Sequence, residues 1–274
     1  MTLNDHQLSF FQDNGFLVVK DVIDPEFIRG LFMTTAQTFV KYRRCEDWQP
    51  SYESWVDPSF NRDMIRLRRE DPQTFSAVFD AVQTSSTMYA LAANTTTLAI
   101  AAQLTREEPY MLSQSGKMLR MDPPSDKRNS LEWHQESSYY FQNLVGEHGA
   151  ICWMPMHVMT SDSGSIFICP QSHREGALSF ETEGKKDYIT SAQKKVPRQS
   201  LDRYEPLQVQ AEDGDAVFMN MDLFHKSGDN VSNAFRFSYN IRYHRMSTDD
   251  FLPGRDEYRP NSHMLEKRNK RITV

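Results

Sequence analysis

The sequence contains little cysteine and no paired cysteine spacing. Its three cysteines are Cys45, Cys152 and Cys169, and no C-x-x-C pair occurs among them. This pattern argues against a disulfide framework and against a zinc ribbon. Cys152 and Cys169 fall within apolar runs, so we expect them to be inert packing thiols. A reducing compartment suits such a chain.

Long apolar runs and an excess of positive charge are also missing. No stretch approaches the roughly 20 apolar residues of a membrane-spanning helix, and the opening residues Met1–His6 lack the basic and apolar regions of a signal peptide. The net charge is −6 and the isoelectric point is near 5.8, which does not favour nucleic-acid binding. We therefore expect a cytoplasmic protein that acts on a small-molecule substrate and binds neither membranes nor nucleic acid.

The first part of the chain carries helix signals. At 274 residues with 12% aromatic residues, the chain is long enough to bury a substantial core. Asn4 or Asp5 can cap a first helix, and Asp24, followed by proline, can cap a second. Residues 42–73 are charged, aromatic and punctuated by proline, so we expect them to be irregular. Residues 74–105 are rich in Ala, Leu and Met and favour helix.

After Pro109 the pattern changes to short strands separated by Gly, Pro, Asp and Ser, which is typical of an antiparallel sandwich or barrel. The predicted strands are Tyr110–Met121, Leu131–Glu136, Ala150–Met159, Ser165–Cys169, Leu207–Gln210, Ala216–Asn220 and Ala234–Tyr243. Residues 173–206 are charged and unpatterned, and we expect them to form a lid over a site. The ordering predicts one α+β domain with helical support in 1–109, a β core in 110–245 and a tail in 246–274.

His134 and Glu136 form a candidate metal-binding pair. In an extended strand, residues two apart point to the same face, so these side chains would project side by side. Non-haem iron oxygenases use such a pair together with a distant second histidine. A second copy of the spacing occurs at His173 and Glu175, so the pair alone is not diagnostic.

The last predicted strand offers a candidate anion site. Its aromatic and aliphatic residues alternate with Arg236, Ser238, Asn240 and Arg242, so the polar residues share one face. In a small barrel that face can line a ligand cavity instead of meeting solvent. Eleven residues before Arg236 lies His225, a candidate for the second histidine. The planar guanidinium of arginine suits the far carboxylate of a dicarboxylate that binds a metal at its other end.

Together these motifs resemble the phytanoyl-CoA dioxygenase family. The residues that carry the resemblance are Trp133-His-Gln-Glu136-Ser-Ser-Tyr139, Gly164 through Pro170 to His173, Gly214-Asp215, His225-Lys-Ser227 and Arg236. Members of that family are iron(II)- and 2-oxoglutarate-dependent oxygenases built on a double-stranded β-helix, or jelly roll. The resemblance covers nearly the whole chain, since the helix and strand that open the sequence also fit.

The resemblance implies a role for each matching residue. The iron ligands would be His134, Glu136 and His225; the cosubstrate contacts would be Arg236, Ser227, Ser238 and Trp153. Iron(II), 2-oxoglutarate and O2 are the implied cofactor and cosubstrates. The chain departs from the family pattern at Glu136, where aspartate is usual, and at Gln171, where glycine is common. In the family, the histidine matching His173 belongs to a structural turn, so we do not expect it to bind metal.

The implied reaction is hydroxylation of an aliphatic C–H bond with release of succinate and CO2. Desaturation, epimerisation and ring closure stay open. Arg242, Asn240 and Tyr139 are the candidate substrate contacts, and an interior bearing arginine and asparagine favours a small polar or anionic metabolite. The alternative for Arg242 is an ion pair with Asp249 or Asp250 near the barrel rim.

Two other function classes stay open for the residues themselves. A cupin-like isomerase, or a dioxygenase without 2-oxoglutarate, would share the metal but would not need Arg236. A non-catalytic jelly roll that binds a ligand would need neither the metal nor Arg236. Succinate release that depends on 2-oxoglutarate distinguishes the three.

Overall fold

The structure is a computed structural model that describes residues 1–43, 52–126, 130–183 and 193–254. Cys45, the middle of the predicted lid and the tail beyond residue 254 lie outside the described residues. How the chain divides into domains stays a prediction.

The chain opens with a helix, a strand and a second helix, as predicted. Helix α1 spans Asp5–Asn14 and is capped by Asn4, whose side chain accepts a hydrogen bond from the Gln7 amide. Strand β1 spans Phe16–Val19. Helix α2 spans Pro25–Arg43 and begins after Asp24, whose carboxylate accepts a hydrogen bond from the Glu26 amide at 2.9 Å.

Four more α-helices precede the β core in the residues that the structure describes. They are α3 (Pro58–Glu70), α4 (Pro72–Gln83), α5 (Ser86–Ala92) and α6 (Thr95–Thr105). The prediction that residues 42–73 are irregular was therefore wrong in its second half. The prolines that suggested interruption stand at the first position of α3 and of α4, where proline is tolerated, and Asp57 and Asp71 cap these helices. None of the helices within the described ranges is long and apolar enough to cross a membrane.

Within the described ranges the strands form two main antiparallel sheets. After β1 they are β2 (Leu112–Asp122), β3 (Gly149–Pro155), β4 (Phe167–Ile168), β5 (Glu181–Glu183), β6 (Gln193–Lys195), β7 (Leu207–Gln208), β8 (Ala216–Asn220), β9 (His225–Lys226) and β10 (Arg236–Arg245), with a short helix α7 (Arg198–Leu201). One sheet has the order β1-β8-β3-β10-β2 and the other β7-β4-β9, while β5 and β6 form a separate hairpin. This jelly-roll core braced by helices confirms the α+β prediction.

One predicted strand is absent. Residues 131–136 contribute a single bridge, between His134 and His225, and a 3-10 turn begins at Glu136. His134 and Glu136 therefore do not share a strand face, although both reach the same centre, as shown below.

Strand β10 separates the helical core from the interior of the jelly roll. Phe237, Tyr239 and Ile241 are fully buried in the main hydrophobic cluster beneath the helices. The ring of Phe237 lies 4.5 Å from that of Trp55 and 5.9 Å from that of Phe60. Burying one such side chain contributes roughly 1.5–3 kcal/mol. The alternate polar side chains of β10 face the opposite side, as the sequence pattern predicted.

Candidate functional site

His134 and His225 are brought together by their own backbones. The amide of His134 donates to the carbonyl of His225 at 3.0 Å, and the reverse bond measures 3.1 Å. His225 lies in β9, which pairs with β4. His134, which lies outside the strands, is thus attached to the smaller sheet through its bridge to His225.

The orientation of each imidazole is set by a backbone carbonyl. Nδ1 of His134 lies 2.7 Å from the carbonyl oxygen of Glu132, and Nδ1 of His225 lies 2.9 Å from that of Leu223. A carbonyl can only accept, so each Nδ1 carries the proton and each Nε2 keeps its lone pair free. Such carbonyl partners are typical of metal-bound histidines.

Glu136 completes a cluster suited to a metal ion. Its Oε2 lies 3.5 Å from Nε2 of His134 and 3.3 Å from Nε2 of His225. The three candidate ligand atoms lie within 4.8 Å of one another, and all three residues are buried. Two imidazoles and one carboxylate form the donor set that non-haem iron uses, so the residues fit that metal.

Electrostatics keep these ligand atoms available. Burial and the neighbouring His225 lower the pKa of His134, so its imidazole is neutral at neutral pH. Burial would raise the pKa of Glu136, but the charge of Arg242 and the two histidines outweigh burial and hold that pKa well below its usual range. Glu136 is therefore ionised, as a metal ligand must be.

Arg242 points into the jelly roll but contacts Glu136. Its Nε donates to Glu136 Oε1 at 2.6 Å, and its Nη2 contacts the same oxygen. The alternative that Arg242 pairs with Asp249 or Asp250 was wrong: Asp250 instead accepts hydrogen bonds from the amides of Leu144 and Val145. Because Glu136 already balances its charge, Arg242 gives no support to an anionic substrate.

A small cavity of about 40 Å³ lies beside the cluster, between the sheets. Among the residues lining it are the predicted cosubstrate contacts Trp153, Ser227, Arg236 and Ser238. Ser238 is 1% exposed, and its Oγ is buried without a hydrogen-bond partner in the described part of the chain. A buried hydroxyl without a partner is costly, so a polar ligand in this cavity would stabilise it.

Arg236 lines the same cavity, but its guanidinium is already engaged. Nε and Nη2 donate to Asp122 Oδ2 at 3.1 and 2.7 Å, while Nη1 donates to the carbonyls of Gly164 and Gly228. Asp122 thus occupies the bidentate face of Arg236, and the contact of Arg236 with the cosubstrate stays a prediction.

Arg120 and Asp122 are residues that the sequence reasoning missed. Arg120 pairs with Asp122 through Nε and Nη2 at 3.0 and 3.1 Å. Burial would raise the pKa of Asp122, but Arg120 and Arg236 outweigh burial and lower it. Two guanidinium groups thus share one carboxylate beside the small cavity. In the sequence, Arg120 and Asp122 are two charged residues that alternate along one strand, and this pattern alone does not indicate a role beside the cavity.

A larger cavity of about 590 Å³ opens on the other side of the cluster. It shares His134, Glu136, Asn240, Arg242 and Arg120 with the small cavity. Its other walls are aromatic and polar, and they include Tyr139, Tyr140, Phe141, Gln142 and Lys117. The three predicted substrate contacts, Tyr139, Asn240 and Arg242, all line it.

The competing pair His173 and Glu175 lies outside the cluster. Nε2 of His173 lies 3.0 Å from the carbonyl oxygen of Gln12, and Glu175 pairs with Arg203. Gln171, which stands where the family commonly has glycine, adopts the left-handed conformation at φ 70°. His173 therefore belongs to a turn, as predicted.

The model of a known family matches most of the chain. Residues 11–238 match the phytanoyl-CoA dioxygenase (PhyH) family. No curated protein sequence matches the chain.

Solved structures of similar fold share little sequence with this chain. EvdO2 from Micromonospora carbonacea var. aurantiaca, complexed with 2-oxoglutarate, is 18% identical with a TM-score of 0.59, covering 89% of this chain and 92% of its own. The epimerase SnoN, in complex with Fe3+, alpha ketoglutarate and nogalamycin RO, is 14% identical with a TM-score of 0.61. The match covers 93% of this chain and 91% of the SnoN chain. EctD from S. alaskensis, with 2-oxoglutarate and 5-hydroxyectoine, is 14% identical with a TM-score of 0.58, covering 89% and 77%.

Proposed function

Because the chain belongs to the phytanoyl-CoA dioxygenase family, we propose that His134, Glu136 and His225 hold the iron(II) ion of an iron(II)- and 2-oxoglutarate-dependent oxygenase. The observation that carries the assignment of the ligands is the convergence of two imidazole Nε2 atoms and one carboxylate oxygen on a buried point. Family membership sets aside the cupin-like and non-catalytic alternatives. A cytoplasmic location stays part of the proposal.

The small cavity is the proposed site of 2-oxoglutarate. Arg120 and Arg236, which share the carboxylate of Asp122, both line it, and their positive charge suits a carboxylate of the cosubstrate. Ser238 offers a hydroxyl that needs a partner, and Trp153 and Ser227 complete the wall. Arg236 contributes its charge there, and the one N–H donor outside these four hydrogen bonds is the donor that we assign to the cosubstrate.

The larger cavity is the proposed substrate site. Its volume falls within the range of about 300–1,000 Å³ that is typical of small-molecule pockets. Among the described lining residues Glu136 is the one acid, and Arg242 balances its charge. Since Arg120 pairs with Asp122, Lys117 is the cation that makes the remaining wall positive. Together with the aromatic side chains, this wall supports a small polar or anionic metabolite.

The protein's contribution to the reaction is to position and shield. Bound iron(II), with 2-oxoglutarate and O2, supplies the oxidation that hydroxylates a C–H bond and releases succinate and CO2. The carbonyls of Glu132 and Leu223 fix the imidazoles, and Glu136 stays ionised through its ion pair. The aromatic side chains of Tyr139 and Tyr140 line the larger cavity together with His134 and Glu136, where they limit water.

The test is a substrate screen with the iron-loaded enzyme. The protein is loaded with iron(II) under argon and exposed to O2 and 2-oxoglutarate with a panel of small polar and anionic metabolites, and succinate is measured. We expect at least one compound to stimulate succinate release, with an added oxygen atom found in the product by mass spectrometry. If neither the basal nor the stimulated reaction consumes 2-oxoglutarate, the proposal is wrong.

A further inference from the structure

Glu136 has two carboxylate oxygens, and they have different partners. Oε2 faces the two histidines, whereas Oε1 contacts Arg242. Building on the proposed function, we propose that Arg242 is a positioning residue that fixes Glu136 as a ligand through Oε2 alone, and that Gly116 and Tyr140 hold Arg242 in place for this role.

Arg242 is held on each of its three nitrogen atoms. Nε and Nη2 contact Glu136 Oε1, and Nη1 donates to the carbonyl of Gly116 at 2.8 Å. The guanidinium carbon lies 4.7 Å from the centroid of the Tyr140 ring, in cation–π contact. Attraction to Glu136 outweighs burial and raises the pKa of Arg242, so the charge is permanent.

A bulge in β2 creates the carbonyl that Arg242 uses. Asn240 pairs with Met118 but Arg242 pairs with Ser115, so two residues of β2, Gly116 and Lys117, lie opposite the single Ile241 of β10. Such a bulge turns a backbone group out of the ladder, and glycine supports it with φ +60°. The Gly116 carbonyl is thereby aimed at the guanidinium.

Glycine is required at the bulge for a second reason. A Cβ on Gly116 would lie 2.3 Å from the Tyr140 hydroxyl and 2.8 Å from the ring. The bare Cα lets Tyr140 lie flat beside the bulge and cover Arg242. The alternation of residues along the strand does not explain this glycine, but the contacts that hold Arg242 in place do.

A glutamate ligand needs the restraint by Arg242 more than an aspartate ligand would. Its additional methylene adds a freely rotating side-chain bond, so an unrestrained Glu136 could turn either oxygen, or both, toward the metal. With Oε1 held by Arg242, Oε2 remains at 3.3 and 3.5 Å from the imidazole nitrogens. The contact between Arg242 and Glu136 Oε1 therefore compensates for the longer side chain of the ligand.

The test measures binding of Co(II), whose visible absorption reports the number and geometry of its ligands. The metal-free protein is titrated with Co(II) under argon, without cosubstrate. We expect Arg242→Gln to weaken Co(II) binding at least tenfold and to change the absorption spectrum, and Gly116→Ala to do both to a smaller degree. Arg245→Gln, on the same strand but paired with Glu107, is the matched control and should bind like wild type.

A double variant separates positioning from general stability. Glu136→Asp shortens the ligand away from Arg242, so adding Arg242→Gln to it should change Co(II) affinity less than threefold. An equal loss in both backgrounds, or an unchanged spectrum in Arg242→Gln, would overturn the proposal. If Arg242→Gln does not fold, Arg242→Lys replaces it in both backgrounds, because lysine keeps the charge but cannot contact Glu136 and Gly116 together. Failure of the wild-type protein to bind Co(II) would contradict the proposed function itself.

Discussion

His134 and His225 exchange two backbone hydrogen bonds, the amide of each donating to the carbonyl of the other. Because the backbones are paired, truncating either side chain should leave this bridge intact and remove only a metal ligand. We expect His134→Ala and His225→Ala each to bind Co(II) or iron(II) at least a hundredfold more weakly, with an unchanged far-UV circular dichroism spectrum. Metal titration under argon measures the loss.

His173→Ala is the control for these two variants. His173 lies in the turn beside Gln12 and Gly15, away from the cluster. We expect this variant to bind metal like wild type. Wild-type affinity in His134→Ala or His225→Ala would contradict the ligand assignment, and loss of metal in His173→Ala would revive the competing pair.

Removing Arg236 should weaken 2-oxoglutarate binding. The variant Arg236→Gln removes one of the two guanidinium groups that share Asp122, and with it a positive charge from the wall of the small cavity. Truncating one partner of a buried charge pair typically costs about 2–5 kcal/mol. We therefore expect Arg236→Gln to lower 2-oxoglutarate affinity at least tenfold while the metal stays bound.

Calorimetry of 2-oxoglutarate binding to the Co(II)-loaded protein measures this effect. The surface variant Arg174→Gln, which loses only an exposed pair with Asp13, is the control and should bind normally. Equal affinity in Arg236→Gln and wild type would mean that the cosubstrate is held without this charge cluster.

The parts of the site that the sequence predicted are those carried by local pattern. The alternation along β10 places Arg236 and Ser238 on one face whatever the strand packs against, and His225 precedes them at a spacing that resembles the family. The parts it missed depend on partners far along the chain. The pairing of Asp122 with Arg236 and the bulge at Gly116 follow from the register between β2 and β10, which one strand alone does not specify.

The helix α3 shows the same limit on a smaller scale. Asp57-Pro58 reads equally well as a turn or as a cap followed by the first helical residue. Packing of the amphipathic helix decides between them, because Phe60 and Met64 are fully buried in the core. The same ambiguity led to the wrong prediction for residues 58–73.

Lys194 fastens the β5–β6 hairpin onto the loop that follows Glu136. Its ammonium lies 5.4, 4.9 and 4.5 Å from the ring centroids of Tyr139, Phe141 and Phe180 and donates to the Ser138 carbonyl. Whether residues 173–206 form a mobile lid stays a prediction, and this contact is where it can be tested.

Replacing Lys194 with methionine should loosen the hairpin. A cation–π contact contributes roughly 0.5–2 kcal/mol, so we expect amide hydrogen exchange in residues 193–196 to become about 2- to 30-fold faster in Lys194→Met. Lys41→Met, which removes a comparable contact with Tyr42 on α2, should leave that exchange unchanged. Equal exchange in Lys194→Met and wild type would show that backbone bonds alone hold the hairpin.

His244 should make the fold less stable as the pH decreases. Its imidazole is 1% exposed, and Nε2 lies 2.7 Å from Ser115 Oγ. Burial, helped by repulsion from Arg242, lowers the pKa of His244 to about 3, whereas an unfolded histidine titrates near about 6.5. Between these values the unfolded chain binds a proton that the folded chain does not. The contribution of His244 to the free energy of unfolding is therefore complete above about pH 6.5 and decreases as pH falls, by up to roughly 1.4 kcal/mol per pH unit.

Comparison with His244→Gln isolates this contribution. Glutamine keeps an amide near Ser115 but does not titrate, so other carboxylates and histidines affect both proteins alike. We expect the free energy of unfolding, measured by urea denaturation of the metal-free proteins from pH 7 to pH 4.5, to decrease more steeply for wild type than for His244→Gln. The glutamine variant starts less stable at pH 7, and the difference should narrow as the pH decreases. Two parallel curves would mean that His244 is protonated to the same extent in both states, and that its contact with Ser115 does not depend on the neutral imidazole.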